Sequence, residues 1–370
     1  MIRKPYLPLV KYLHGYCHFW RKKLIVYPPM KKAALPDRLK KRPSIKDVAA
    51  LASVSTATVS HVFSGKKQVN ETLALRVRDA AAELGYAVDP VASRLRSGRA
   101  RVVAVIVPDL EDLFINRFVS LIESRAQQAG FDVVLACSRN DPEIERSRLR
   151  ALIAWRPAGI VAIPCGDSIP EELLEEYGST PIVGADRIEP GSAPFDTVTV
   201  DNRSAGRKIA DFLLMQDVRS VLLVTATLRI FNIRERVRGA TDRLSESEGV
   251  QVETIEIGID PAGGAGKLTA WLNGNPKPDA VVGLTNLTTL ATLAAFAEVG
   301  LEAPKDIALV GFHDSLWMTA RKNPVTTVVP PVDDVARLAW ERLERRMTGD
   351  TSPAHSIILS AELIQRASTR

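Results

Sequence analysis

From Arg101 to the C-terminus, short apolar runs alternate with amphipathic stretches, and this alternation restricts the fold more than any other feature. Val102–Val107, Val133–Cys137, Ile160–Ile163, Ile182–Ala185 and Val198–Val200 read as buried strands, with helices such as Asn116–Gln128 and Glu143–Trp155 between them. A second series follows: Val221–Thr225, Val252–Ile257, Val281–Leu284 and Ile307–Val310. Runs without polar alternation are strands buried on both faces, the pattern of parallel sheets covered by helices on each side. Two series predict two doubly wound α/β lobes with a cleft between them. In such sheets, ligands favour the carboxyl ends of the strands.

Upstream of Arg101 the texture is different. Ser44 and Asp47 have capping-box spacing at a helix start, and Val48, Ala49 and Ala52 recur at helical intervals. Ser53-Val54-Ser55 interrupts the pattern, and Ser55 is a good N-cap for a second helix, Thr56 to Val62. That helix turns Val59 and Val62 inward and Thr56, Ala57, Ser60 and His61 outward. Two short helices joined by a tight turn make a helix-turn-helix, whose second helix fits the major groove of DNA. Asn70 caps a third helix with Leu73, Val77, Ala80, Ala81 and Leu84 on its buried stripe; Gly85 ends it and Tyr86 packs back. This is a small all-α head.

Charge separates the same two regions. Residues 1–101 hold 21 Lys and Arg against 6 Asp and Glu, whereas the remainder holds 28 against 37. A basic front on an acidic body is the electrostatic footprint of a nucleic-acid-binding head. The three cysteines, Cys17, Cys137 and Cys165, lie far apart in a chain of 370 residues, which argues against a disulfide framework and for a reducing cytoplasm. No apolar run approaches the length needed to cross a bilayer. His14, Cys17 and His18 lack a fourth ligand, so no metal and no cofactor is expected.

The stretch IKDVAALASVSTATVSHV resembles the DNA-binding head of the lac/gal repressor family of bacterial transcription regulators. VNETLALRVRDAAAELGY, VASRLRSG, VVAVIVPDLEDLF, PIVGADR, RERVRG, DIALVGFHD and NPVTTV continue the likeness in the family's order. The resemblance implies a periplasmic-binding-protein-like core, a small-molecule effector in its cleft and a homodimer on a palindromic operator. It implies a basic extension at 1–43, a head at 44–89, a hinge helix at 90–100 and a core at 101–370. Within the core, the expected lobes are 101–199 with 330–355 and 200–329 with 356–370. The family usually starts shortly before the first helix, so residues 1–29 are either a mis-assigned start ahead of Met30 or a basic arm touching phosphates.

Carried over position by position, DNA contacts fall on Ser55, Thr56, Ala57, Thr58, Ser60, His61 and Asn70, and in the hinge on Ala92, Arg94 and Leu95. Val91–Gly98 is too short to be a stable helix alone in water. In the family the matching segment orders on DNA, and Leu95 stands where a leucine wedges into the minor groove. His61 stands where the family most often has arginine, and histidine offers only one good donor at a time. Effector contacts fall on Phe114 for stacking, Asp186 for accepting from hydroxyls and Arg236 for forked donation.

Three positions depart from the family. Thr285-Asn286 replaces a usual Asn-Asp, His313 stands where an aspartate normally binds hydroxyls, and Pro330 replaces a frequent glutamine. Trp317 offers another stacking face or core packing. A lost carboxylate removes a charge-assisted acceptor and makes the site less negative. A sugar acid is therefore expected alongside neutral sugars.

Enzymatic signals fail. Gly263-Gly264-Ala265-Gly266-Lys267 hints at a phosphate loop, but Pro261 occupies the first glycine position and Leu268 that of the magnesium-binding hydroxyl. No Gly-x-Ser-x-Gly elbow is present. The reading is a ligand-responsive transcription factor, read as a repressor; the alternative is a sugar-binding or sugar-processing protein with the same core. SAELIQRASTR at the C-terminus lacks tetramer-forming leucine heptads.

Overall fold

Capping decides where the first three helices begin. In the computed structural model, which describes residues 43–64, 69–86 and 101–369, helix α1 runs Ile45–Leu51, α2 Thr56–Ser64 and α3 Glu71–Leu84. The Ser44 amide and hydroxyl both donate to the Asp47 carboxylate at 2.7 Å. Ser55 Oγ accepts from the Thr58 amide at 3.1 Å, and Asn70 Oδ1 accepts from the Thr72 amide at 2.9 Å. Val48, Ala49, Ala52, Val59, Val77, Ala80 and Ala81 form the core of the unit, with Val62, Leu84 and Tyr86 packed against it. The Arg76 guanidinium donates to the Ala52 carbonyl and ties α3 to the turn. Residues 1–42 and the hinge fall outside the described residues, and with the hinge Ala92, Arg94 and Leu95.

The larger unit, from Pro90 onward, is built on two six-stranded sheets. The first contains β1 (Val102–Val107), β2 (Asp132–Cys137), β3 (Gly159–Ala162), β4 (Ile182–Ala185) and β5 (Asp196–Val200). Helices α4 (Leu113–Gln128), α5 (Pro142–Ala154) and α6 (Glu171–Glu176) connect them. After β5 the chain enters the second lobe with α7 (Asn202–Leu214), β6 (Ser220–Thr225), α8 (Phe231–Ser245), β7 (Gln251–Glu256), α9 (Pro261–Gly274), β8 (Ala280–Gly283), α10 (Asn286–Val299) and β9 (Ala308–Phe312). Short helix α11 (Leu316–Thr319) and strand β10 (Thr326–Val329) follow. The chain returns to the first lobe as α12 (Val332–Met347) and β11 (Ser356–Leu359), then crosses again to β12 (Glu362–Ile364).

The sheet orders are β11-β5-β4-β3-β1-β2 and β12-β10-β9-β8-β6-β7, all parallel except the β10–β12 pair. The doubly wound two-lobed α/β core is thus as the alternation required. One boundary is corrected: Ser356–Leu359 pairs with Thr197–Val200 in the first sheet, so the last crossing falls at Ser360-Ala361 rather than before Ser356. Strand β11 is only four residues long and alternates exposed with half-buried positions, so no long buried run marked its place. The glycine-rich run 263–267 lies inside α9, capped by Asp260, and forms no loop.

Helices α7 and α8 pack closer than side chains allow. A Cβ at Gly206 would lie 2.1 Å from the Arg236 carbonyl oxygen, and one at Gly239 would lie 2.0 Å from the Arg203 carbonyl oxygen. Backbone cannot yield as a flexible side chain can. Gly239→Ala should therefore destabilise the protein by about 1–3 kcal/mol or more in urea unfolding. Gly266→Ala, in α9 with nothing within 4 Å of the added atom, should raise stability by roughly 0.4–1 kcal/mol. Equal effects of the two substitutions would contradict the packing argument.

Candidate DNA-reading helix and inter-lobe cleft

On α2 the expected outward residues divide by what they already hold. Ser55 Oγ and Thr58 Oγ1 lie 2.9 Å apart and close the N-terminal cap together. Asn70 caps α3. These three polar groups shape the helix ends. Thr56 and Ala57 are exposed, while Ser60 and His61 are half-buried, with Val59 fully buried beneath them. The turn between α1 and α2 passes through Ser53 at φ 51°, and the Val54 amide donates to the Ala49 carbonyl. A small, polar face is left on α2, of a size that a major groove admits.

The cleft is assembled at the carboxyl ends of the strands. Asp112, Phe114, Ile115, Asp186 and Arg187 come from the first lobe, and Asn232, Ile233, Arg236, Thr285 and His313 from the second. Phe114 lies in the first turn of α4, which begins earlier than its apolar period suggested, because Asp112 caps it through the Phe114 amide at 2.8 Å. Asp186 directly follows β4 at φ 57°, and His313 directly follows β9 at φ 70°. Non-glycine residues rarely adopt that region, and such positions cluster at ligand clamps.

Arg236 is the buried cation of the site. Its Nε donates to Asn202 Oδ1 at 2.8 Å, its Nη1 donates to the Leu284 carbonyl at 2.9 Å, and its guanidinium lies 3.8 Å from the centre of the Phe312 ring. Burial lowers it to about 10, against the opposing pull of Asp186 and Asp112, so it remains charged at neutral pH. Burial also raises the Asp186 carboxyl above its ordinary range, with Arg236 and Arg187 opposing. Asn232 Nδ2 donates to Asp186 Oδ2 at 2.9 Å, while Asn232 Oδ1 is buried without a partner. Arg187 Nη1 donates to Asn140 Oδ1 at 2.8 Å.

Burial pushes the His313 imidazole down to about 4, with Asp112 opposing and Arg236 reinforcing the shift, so it is neutral at pH 7. Its ring lies 5.6 Å from that of Phe114 across the cleft and 5.1 Å from that of Phe312. The adjacent Asp314 is engaged elsewhere, accepting a forked pair from Arg366 at 2.7 and 2.8 Å.

Phe114, Asp186, Arg236, Thr285 and His313 are therefore brought together. Trp317 is not: it packs against the second-lobe core beside Met318 and Val325. The Thr285 hydroxyl caps α10 by accepting from the Thr288 amide at 3.1 Å. Asp112, Arg187 and Asn232 escaped the sequence reading. Asp112 carried a signal as an N-cap before an apolar helix, and Arg187 stood in the quoted PIVGADR, but nothing marked Asn232. Chemically, the pocket offers forked donors, two carboxylates, a free amide oxygen, a neutral imidazole and one aromatic face. Its free volume is about 30 Å³, room for a water molecule rather than a sugar ring.

Comparison with known proteins identifies the head and the core as domains. Residues 44–89 match the model of bacterial regulatory proteins, lacI family, and residues 198–369 match a periplasmic binding protein-like domain. The HTH-type transcriptional regulator PtxS of Pseudomonas putida is 30% identical, over 90% of this chain and 98% of its own length. The transcriptional regulator CelR–cellobiose complex is similar in structure, with a TM-score of 0.64 and 27% identity over 88% of this chain and all of that one. The lac repressor dimer bound to operator and the anti-inducer ONPF shares the fold, with a TM-score of 0.75 and 24% identity over 89% of this chain and 99% of that one. No helix among the described residues is long and apolar enough to cross a membrane. The chain belongs to the lacI family of bacterial regulatory proteins and is a transcriptional regulator with a DNA-binding helix-turn-helix head and an effector-binding core.

Proposed function

We propose that the protein is a cytoplasmic, homodimeric repressor whose affinity for a palindromic operator is set by a sugar or sugar acid held between its lobes. The observation that carries this reading is the pocket in which Asp186, Arg236, Asn232 and Phe114 converge, in a chain that also bears an exposed, small polar face on α2. A few well-placed polar groups on apolar walls are the usual means of fixing a small ligand's orientation. The neutral His313, in place of a carboxylate, leaves two guanidinium groups facing two carboxylates, which supports ligands with a carboxylate as well as neutral sugars. The likeness to a cellobiose-bound regulator supports a carbohydrate. A single head reads only a few base pairs, so two-fold pairing on a palindrome is the economical route to specificity. Thr56, Ala57, Ser60 and His61 are the base readers in this reading, with Ser55, Thr58 and Asn70 placing the helix, and Ala92, Arg94 and Leu95 meeting the minor groove. The relatives are regulators, and binding without turnover is the corresponding reading of the cleft.

Selection of bound DNA from a random pool by the purified full chain should enrich a palindrome; enrichment of no palindrome would overturn the dimeric reading. In the same experiment, His61→Arg should sharpen the preference for guanine at one base pair of each half-site, since a bidentate pair adds about 1–3 kcal/mol of discrimination. Identical sites for both proteins would show that His61 reads no base.

Calorimetry against neutral sugars, aldonic and uronic acids and nucleobases tests the cleft. Arg236→Ala should weaken the best sugar or sugar-acid ligand by roughly tenfold or more, since hydrogen bonds to charged groups are worth about 1.5–3 kcal/mol. His313→Asp should shift preference from acids towards neutral sugars. Tight purine binding, or indifference to the loss of Arg236, would contradict the assignment.

A further inference from the structure

The lobes grip one another outside the pocket as well as around it. Asp167 lies in the segment after β3, and Asp186 directly follows β4, both at the carboxyl edge of the first sheet. Asn232 and Arg234 project from the first turn of α8 in the second lobe. Arg234 Nη1 donates to Asp167 Oδ2 at 2.5 Å, two residues along from the Asn232–Asp186 hydrogen bond. The same Nη1 donates to the Leu228 carbonyl at 3.1 Å. That loop is fixed in turn, because the Leu228 amide donates to Glu256 Oε2 at 2.9 Å. The guanidinium also lies 5.9 Å from the Phe231 ring centre. Arg234 is thus aimed at the opposite lobe by its own lobe. Other surface pairs, such as Arg203–Asp242, Arg243–Asp211 and Arg117–Asp333, stay within one lobe.

We propose that the Arg234–Asp167 ion pair is a clasp that holds the cleft closed independently of ligand and so sets the population of closed protein. Neither residue lines the pocket, so a ligand there leaves the pair untouched and meets a cleft already biased towards closure. A free volume of about 30 Å³ is smaller than a sugar ring, so ligand entry requires the lobes to part and the clasp to break. A stronger clasp slows entry and favours the closed form; a weaker one does the reverse, because a ligand's apparent affinity scales with the competent fraction. Side chains exposed by 28% and 42% keep the pair within reach of salt screening. The regulatory consequence rests on the proposed effector reading, whereas closure itself is a property of the ligand-free protein.

Hydrogen exchange read by mass spectrometry on the full-length, ligand-free chain tests closure without any effector or DNA. Asp167→Asn, Arg234→Gln and the double variant should each exchange the pocket-lining segments around Asp186 and Asn232 up to about fivefold faster, the range an exposed to half-buried pair supplies. Strands β1 and β6 should be unchanged. The double variant should match the single ones, since both remove the same interaction. Raising potassium chloride from low to high concentration should accelerate the wild type and leave the variants unaltered. Exchange equal to wild type in Asp167→Asn, or additive effects in the double variant, would overturn the clasp. Failure of the sugar reading in calorimetry would leave this result untouched.

Discussion

A guanidinium nearly sealed from water constrains the whole second lobe. Arg236 is 3% exposed, and a buried charge without partners costs several kcal/mol, so its surroundings must be built to satisfy it. They are drawn from three places: Asn202 at the crossover out of the first lobe, the Leu284 carbonyl beyond β8 and the Phe312 ring at the end of β9. Asn202 is itself pinned, donating from Nδ2 to the Val200 carbonyl at 2.8 Å. For Asn202 to reach Arg236, α7 must lie against α8 at backbone contact, which Gly206 and Gly239 permit. One charge thereby links the crossover, the helix packing and the chemistry of the cleft.

The other polar groups of the cleft follow a different rule. Asp186 and His313 stand at the first positions after their strands with positive φ, a conformation that costs free energy and persists only where the surroundings over-determine it. For His313 the fixing contacts are its own amide donating to the Val328 carbonyl at 2.8 Å and the Thr327 hydroxyl donating to its carbonyl. The backbone is held, so the side chain alone distinguishes this cleft from one with a carboxylate there. A neutral imidazole can donate or accept according to its tautomer, and it flanks aromatic rings without repelling an anion.

Period and capping made most of the fold legible in the sequence. The buried strands around Val105, Val161 and Val224 carried unbroken apolar runs, and Ser44, Ser55 and Asn70 announced the helix starts of the head. Strand β11 was assigned to the wrong lobe because the short run Ile357–Leu359 does not mark which sheet it joins, and its partner β5 lies far back in sequence. The cleft was partly legible. Phe114, Asp186, Arg236 and His313 were found through the resemblance. Asn232 was not, since its role depends on Asp186, a residue 46 positions earlier in the other lobe, with which it shares a hydrogen bond. Trp317 looked like a stacking face from its spacing after Asp314, but helix α11 turns it towards apolar neighbours.

In the proposed function, one ligand between the lobes and one operator on the head report on the same equilibrium. Two sites coupled in this way must change each other's affinity by equal factors. The direct measurement is fluorescence anisotropy of the full chain on its selected operator, with and without saturating amounts of the sugar or sugar acid that calorimetry identifies. The account predicts a shift in operator affinity of about 5- to 150-fold, matched by the same shift in ligand affinity when operator is present. Ligand bound in the cleft with operator affinity unchanged would contradict it.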